Sequence, residues 1–106
     1  MNEAQLRGAL GLCKRAGRLQ SGADLVIKAI RAGSCRLALL DAGAAANTVK
    51  KITDACIYYH VPYCTLPEGL LETACGREGV RTAAVLDGGF AAKVRSLTEE
   101  TNQPVL

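Results

Sequence analysis

Apolar residues recur every three or four positions at the start of the chain. Leu6, Ala9, Leu10 and Cys13 fall on one face of a helix over residues 3 to about 16, while Arg7, Gly11, Lys14 and Arg15 fall on another. Gly17 is a suitable stop, and "RLQ" leaves room only for a short extended piece before the next helix, predicted over about residues 22–33. Ser21 is its expected N-cap, with Asp24 three residues on as in a capping box. Val26, Ala29 and Ile30 are expected in the core, Asp24, Lys28 and Arg31 line up on the other side, and Gly33 ends the helix.

The period then changes. "RLALLD" is a continuous apolar run of strand length, the pattern of a strand covered on both faces. After "AGAA", Val49, Ile52, Cys56 and Tyr59 mark the buried face of a third helix, with Lys50, Lys51 and Asp54 in solvent. "VPYCTL" is a second short strand; Pro67 suits the first turn of a helix reaching about Ala74 and stopped at Gly76; "RTAAVL" is a further strand. "DGG" at 87–89 turns the chain into a last helix carrying Phe90, Val94 and Leu97. Helices alternating with short buried strands predict an α/β protein, a compact α/β/α domain over residues 1–97, and the aperiodic "TEETNQPVL" (98–106) reads as a flexible tail.

Composition narrows the function. The chain has 106 residues, 49% hydrophobic and 22% charged, as expected of one soluble domain. No apolar run reaches the roughly 18–20 residues that span a bilayer, and the N-terminus lacks a secretory core, so a cytoplasmic protein with no membrane partner is expected. The five cysteines are odd in number and no two are separated by only two residues, so they read as buried free thiols rather than metal ligands. His60 has no acid or serine near it in sequence and reads as a helix-end residue, and neither G-x-G-x-x-G nor G-x-x-x-x-G-K-[ST] occurs. "GALG", resembling the clamp loop of some RNA-binding modules, lies inside the first helix. Asp41, at the end of a strand, is expected to hydrogen-bond its own loop. No enzyme activity, metal or cofactor is expected.

The net charge of +3 is modest, but seven of the thirteen cations lie between residues 7 and 36 with Asp24 as the only acid among them, which predicts a basic end. Two segments remain as candidates. "SGAD" (Ser21, Gly22, Ala23, Asp24) opens the second helix, where backbone amides and the positive end of the helix dipole face outward, and Lys28 stands one turn further in. "GREGVR" (76–81) is a glycine-flanked loop carrying Arg77, Glu78, Val80 and Arg81, in which the valine is expected to be exposed and able to pack on a base or a partner.

"GLCKRAGRLQSGADLVIKAIRAGSCRLALL", "NTVKKITDACIYYHVPY" and "ACGREGVRTAAVLDGGFA" together resemble the kink-turn RNA-binding ribosomal protein family of archaeal and eukaryotic large subunits and its small bacterial paralogues. The likeness covers about nine-tenths of the chain and implies a three-layer α/β/α sandwich with a four-stranded mixed sheet. It also implies a ribosome-associated binder of structured RNA. The family's strong binders open the second helix with G-x-N-E-x-x-K; Gly22 and Lys28 match, Asp24 takes the Asn position and Leu25 the Glu position. An ionised Asp accepts but does not donate and Leu25 has no polar atom, so altered base reading with retained phosphate contacts is expected. The resemblance and the cluster of cations together point to Arg18, the helix start from Ser21 to Leu25, Lys28, Arg31 and the loop residues Arg77, Glu78, Val80 and Arg81 as the RNA surface of a monomer. Only four aromatic residues are present, against a binder that stacks successive single-stranded bases. The alternative is a protein-interaction adaptor, its ribosomal or other protein partners met by Leu25 and Val80 while the basic face stays solvated.

Overall fold

A computed structural model describes residues 2–99. Its first helix, α1 (Glu3–Arg15), is capped by Asn2, whose Oδ1 accepts from the Gln5 N–H at 3.0 Å, and buries Leu6, Ala9, Leu10 and Cys13 as their spacing predicts. The short extended piece is strand β1 (Leu19–Ser21), followed by α2 (Ala23–Ala32), β2 (Leu37–Asp41), α3 (Ala46–Tyr59) and β3 (Tyr63–Leu66). A short α4 (Leu70–Cys75), β4 (Thr82–Val85) and α5 (Gly88–Glu99) complete the described chain.

The four strands form one mixed sheet in the order β1-β4-β2-β3, with β2 and β3 parallel and the other pairs antiparallel. Because side chains alternate across a strand, β2 divides its apolar run between two cores. Leu37 and Leu39 pack with α1, α4 and α5 through Leu6, Leu10, Leu71 and Val94; Ala38 and Leu40 pack with α2 and α3 through Val26, Ile30, Ile52 and Cys56. This is the three-layer α/β/α sandwich with a four-stranded mixed sheet. Doubly covered strands explain why β2 and β4 read as unbroken apolar runs: every residue of both is buried.

Several details depart from the pattern. Tyr59, expected on the buried face of α3, is 42% exposed, because the helix ends there and His60 turns away in the left-handed region at φ 60°. Pro67 precedes α4, which starts beyond a left-handed Gly69. Thr98, expected at the head of the tail, is helical and buried, and residues 100–106 of that tail lie outside the described residues. The cations expected to make one basic end are divided by the sheet, since α1 and α2 cover opposite faces. Among the described residues no helix is long and apolar enough to cross a membrane.

Candidate functional site

Helix α2 starts without a side-chain cap. Ser21, its expected N-cap, is the last residue of β1 and pairs with Ala83. Gly22 makes the whole turn from strand to helix, with φ 100° and ψ 139°, a backbone region that side-chain-bearing residues rarely adopt. Its N–H still donates to the Thr82 carbonyl (3.1 Å), while its own carbonyl accepts from Val26 (3.0 Å) to open the helix. A sheet bond on one side and a helix bond on the other leave Ser21 no geometry for capping. The amides of the first helical turn consequently have no side-chain acceptor among the described residues.

The loop before β4 is anchored from beneath. Arg81 donates to Glu72 Oε1 at 2.6 Å and lies 3.6 Å from Asp41 Oδ2. Asp41 is 1% exposed; its Oδ2 accepts from Gly43 N–H (2.6 Å) and its Oδ1 from Gly69 N–H (2.8 Å). One carboxylate therefore joins the segments that follow β2 and β3 to the one that precedes β4, and the strand-terminating Asp reaches well beyond its own loop. Val80, expected to be exposed, is only 4% exposed and belongs to the core under α1, α4 and α5. Gly79, at φ 80°, lets the chain bend so that the valine drops inward while Arg77 and Glu78 stay in solvent.

The two candidate segments meet. Gly22 and Ala23, Thr48 from the first turn of α3, and residues 77–82 surround one open cleft of about 240 Å³. Further along α2, Asp24, Lys28 and Arg31 share the outward face with Ile27 and Ala32, and together with Lys51 of α3 they line an adjoining groove of about 520 Å³. Neither depression is lined by Leu25, 47% exposed, or by Arg18. The Arg18 carbonyl pairs with Leu86 at the far end of β4, whereas Gly22 pairs with Thr82 at its start, roughly 13 Å away along the strand. Thr48 and Lys51 were not among the expected residues. Their signal was their place just beyond the carboxyl end of β2, where α/β sheets gather ligands.

Burial pushes the thiols of Cys13, Cys35 and Cys56 up to about 11, and that of Cys75 up as well, so none of them is an activated nucleophile. What the cleft and groove offer an anion is a set of helix amides and the side chains of Lys28, Arg31, Lys51 and Arg77.

Residues 4–95 match the profile of the ribosomal protein L7Ae/L30e/S12e/Gadd45 family. The chain belongs to this family. Within the family it is 46% identical over 91 residues to "RNA-binding protein YlxQ" of Bacillus subtilis (strain 168), covering 85% of this chain and 91% of that protein. Identity to "RNA-binding protein YlxQ" of Enterococcus faecium is 34% over 103 residues, covering 93% and 99%. Among solved structures, a Bacillus halodurans C protein of unknown function superposes with a TM-score of 0.86 at 32% identity, over 91% of this chain and 98% of that one. A Giardia lamblia 15.5kD RNA binding protein shares the fold, with a TM-score of 0.76 at 20% identity over 92% and 87% of the two chains.

Proposed function

We propose that this protein is a non-enzymatic, ribosome-associated binder of kink-turn-like RNA, acting in the cytoplasm, and that the RNA elbow sits where α2 begins. The observation that carries this reading is the meeting of an uncapped helix N-terminus with the loop of Arg77 and Glu78 in one cleft that opens toward Lys28 and Arg31. A bent RNA crowds its phosphates at the elbow, and helix amides with nearby cations are the groups that offset that charge. The relatives named RNA-binding proteins at 46% and 34% identity support the same reading. The family's description supports the ribosomal association.

The structure alters how the loop contributes. With Val80 in the core, contact with unstacked bases falls to the backbone of residues 77–79 and to the small side chains of Ala23 and Thr48, not to the valine. The adaptor alternative loses one of its two contacts for the same reason. Asp24 accepts hydrogen bonds from base amino groups but offers none, so selectivity for sheared G·A pairs is weaker than an Asn would give.

The test is a titration against a kink-turn RNA and against the same RNA with its G·A pairs replaced, each at several salt concentrations. The expected result is tighter binding to the intact kink-turn, with Lys28→Ala and Arg77→Ala each lowering the salt slope by about one. Absence of binding to both RNAs at low salt would refute the reading.

A further inference from the structure

Lys28 and Arg31 on α2 and Lys51 on α3 converge on a groove of about 520 Å³ in which Asp24 is the sole acidic lining residue among the described residues. Three cations outside the groove, one of them next to Lys51 in the chain, are tied to acceptors. Lys50, the neighbour of Lys51, pairs with Asp54 at 3.0 Å; Arg81 pairs with Glu72 and Asp41; the Lys14 ammonium donates to the Cys75 carbonyl. No acid lies within ion-pairing distance of Lys28, Arg31 or Lys51 among the described residues. Three mutually repelling cations left together raise the local potential, and an incoming anion relieves it.

The groove also continues the cleft at the start of α2. Ala23 and Thr48 line the cleft, Asp24 and Lys51 line the groove, and Thr48 and Lys51 are three residues apart on one helical face. The two depressions therefore run end to end along the seam between α2 and α3. From Gly22 to Arg31 the seam follows nine helical steps, roughly 13 Å, long enough for more than one phosphate of a strand. A compact single anion would use one end of it only. Ile27 and Ala32 provide an apolar wall against which sugars can lie.

We propose that this seam is a phosphate track: the RNA strand that leaves the elbow at the α2 N-terminus runs between α2 and α3, and Lys51 contacts its backbone. The proposal rests on the RNA-binding reading above and adds a contact from a second helix. Asp24, at the end of the groove nearest the cleft, repels phosphate there and places the first ionic contact at Lys28.

The experiment is an anisotropy titration of the full chain with a labelled kink-turn RNA whose strands extend beyond the bend, over a series of salt concentrations. Lys51→Ala is expected to weaken binding about threefold to tenfold at low salt and to lower the salt slope by roughly 0.7 to 0.9, the value of one phosphate contact. Lys51→Arg restores both. Lys50→Ala, one residue away and removing a cation already held by Asp54, leaves both unchanged. Unaltered affinity and slope in Lys51→Ala, with Lys28→Ala still weakening binding, would overturn the track and leave the elbow site standing. Weaker binding with an unaltered slope would also overturn it, since it would mark lost packing rather than a lost ionic contact. Failure of the unsubstituted protein to bind the RNA at all would remove both.

Discussion

At the scale of single residues, Gly22 and Val80 show what a sequence pattern can and cannot carry. A glycine between an extended piece and a helix announces a turn, and the structure makes it the whole turn, at φ 100° with open space where a Cβ would point. Gly22→Ala is therefore expected to cost about 1–3 kcal/mol from backbone strain alone, with no steric clash, measured as a shift in denaturant midpoint with unchanged circular dichroism. Val80 gives no such signal. A single apolar residue among Gly, Arg and Glu has no period to read, and its burial depends on how the turn at Gly79 aims it at α1 and α4. Val80→Ala is expected to destabilise by about 2 kcal/mol and to leave RNA affinity unchanged well below the melting temperature. Loss of RNA binding without loss of stability would instead make Val80 a contact. Asp24→Asn removes the one acid of the groove and restores a side-chain donor, so it is expected to raise affinity for kink-turn RNA about threefold to tenfold in the same titration.

Elements differ in how much of their partnership a sequence reveals. The helices α1, α2 and α3 were legible because their apolar faces repeat at helical spacing, and β2 and β4 because strands covered on both faces read as unbroken apolar runs. β1 was legible only as something extended, since three residues with a mixed burial pattern do not announce a pairing; its place at the sheet edge is set by the register of Leu19, Gln20 and Ser21 against β4. That pairing also fixes where α2 starts, and so where the cleft is. The loop that forms the other wall depends on the Asp41 carboxylate, which no local pattern connects to Gly69 or Arg81. Asp41→Asn keeps the size of the side chain but turns an NH₂ toward one of the two glycine amides, leaving a buried donor facing a donor. A loss of about 2–4 kcal/mol is expected, most of it from the lost amide bonds because Arg81 is 38% exposed and keeps Glu72. Thermal unfolding gives the size of the loss. RNA titration well below the melting point gives its consequence, a weaker complex if the carboxylate holds residues 76–81 against α2.

Across the whole molecule, two cores share one thin sheet, so neither layer can open without uncovering strand residues that the other layer needs in place. Cooperative unfolding as a single unit follows. The thiols report on it from both sides: Cys13 and Cys75 lie in the core of α1, α4 and α5, Cys35 and Cys56 in the core of α2 and α3, and Cys64 on the edge strand is half-buried. A thiol reagent on the native protein is expected to label Cys64 first and to reach Cys13 and Cys56 at the same apparent opening free energy. A large difference between those two would mean that one layer detaches alone. Stability should also carry a pH signature from the same groups. In the folded chain burial pushes Cys13, Cys35 and Cys56 up to about 11 from an ordinary value of 9.0, so between these values the unfolded chain loses thiol protons that the folded chain keeps. The unfolded state then binds fewer protons, and the free energy of unfolding falls as pH rises from about 9 to about 11, by up to about 1.4 kcal/mol per thiol per unit; below pH 9 the thiols contribute no slope. Denaturant titrations at pH 8 and pH 10 measure it, and Cys56→Ala should lose its share of the difference. A slope unchanged by that substitution would mean that Cys56 ionises as readily in the folded chain as in the unfolded one, and that water reaches the core beneath α2 and α3, the two helices that form the groove.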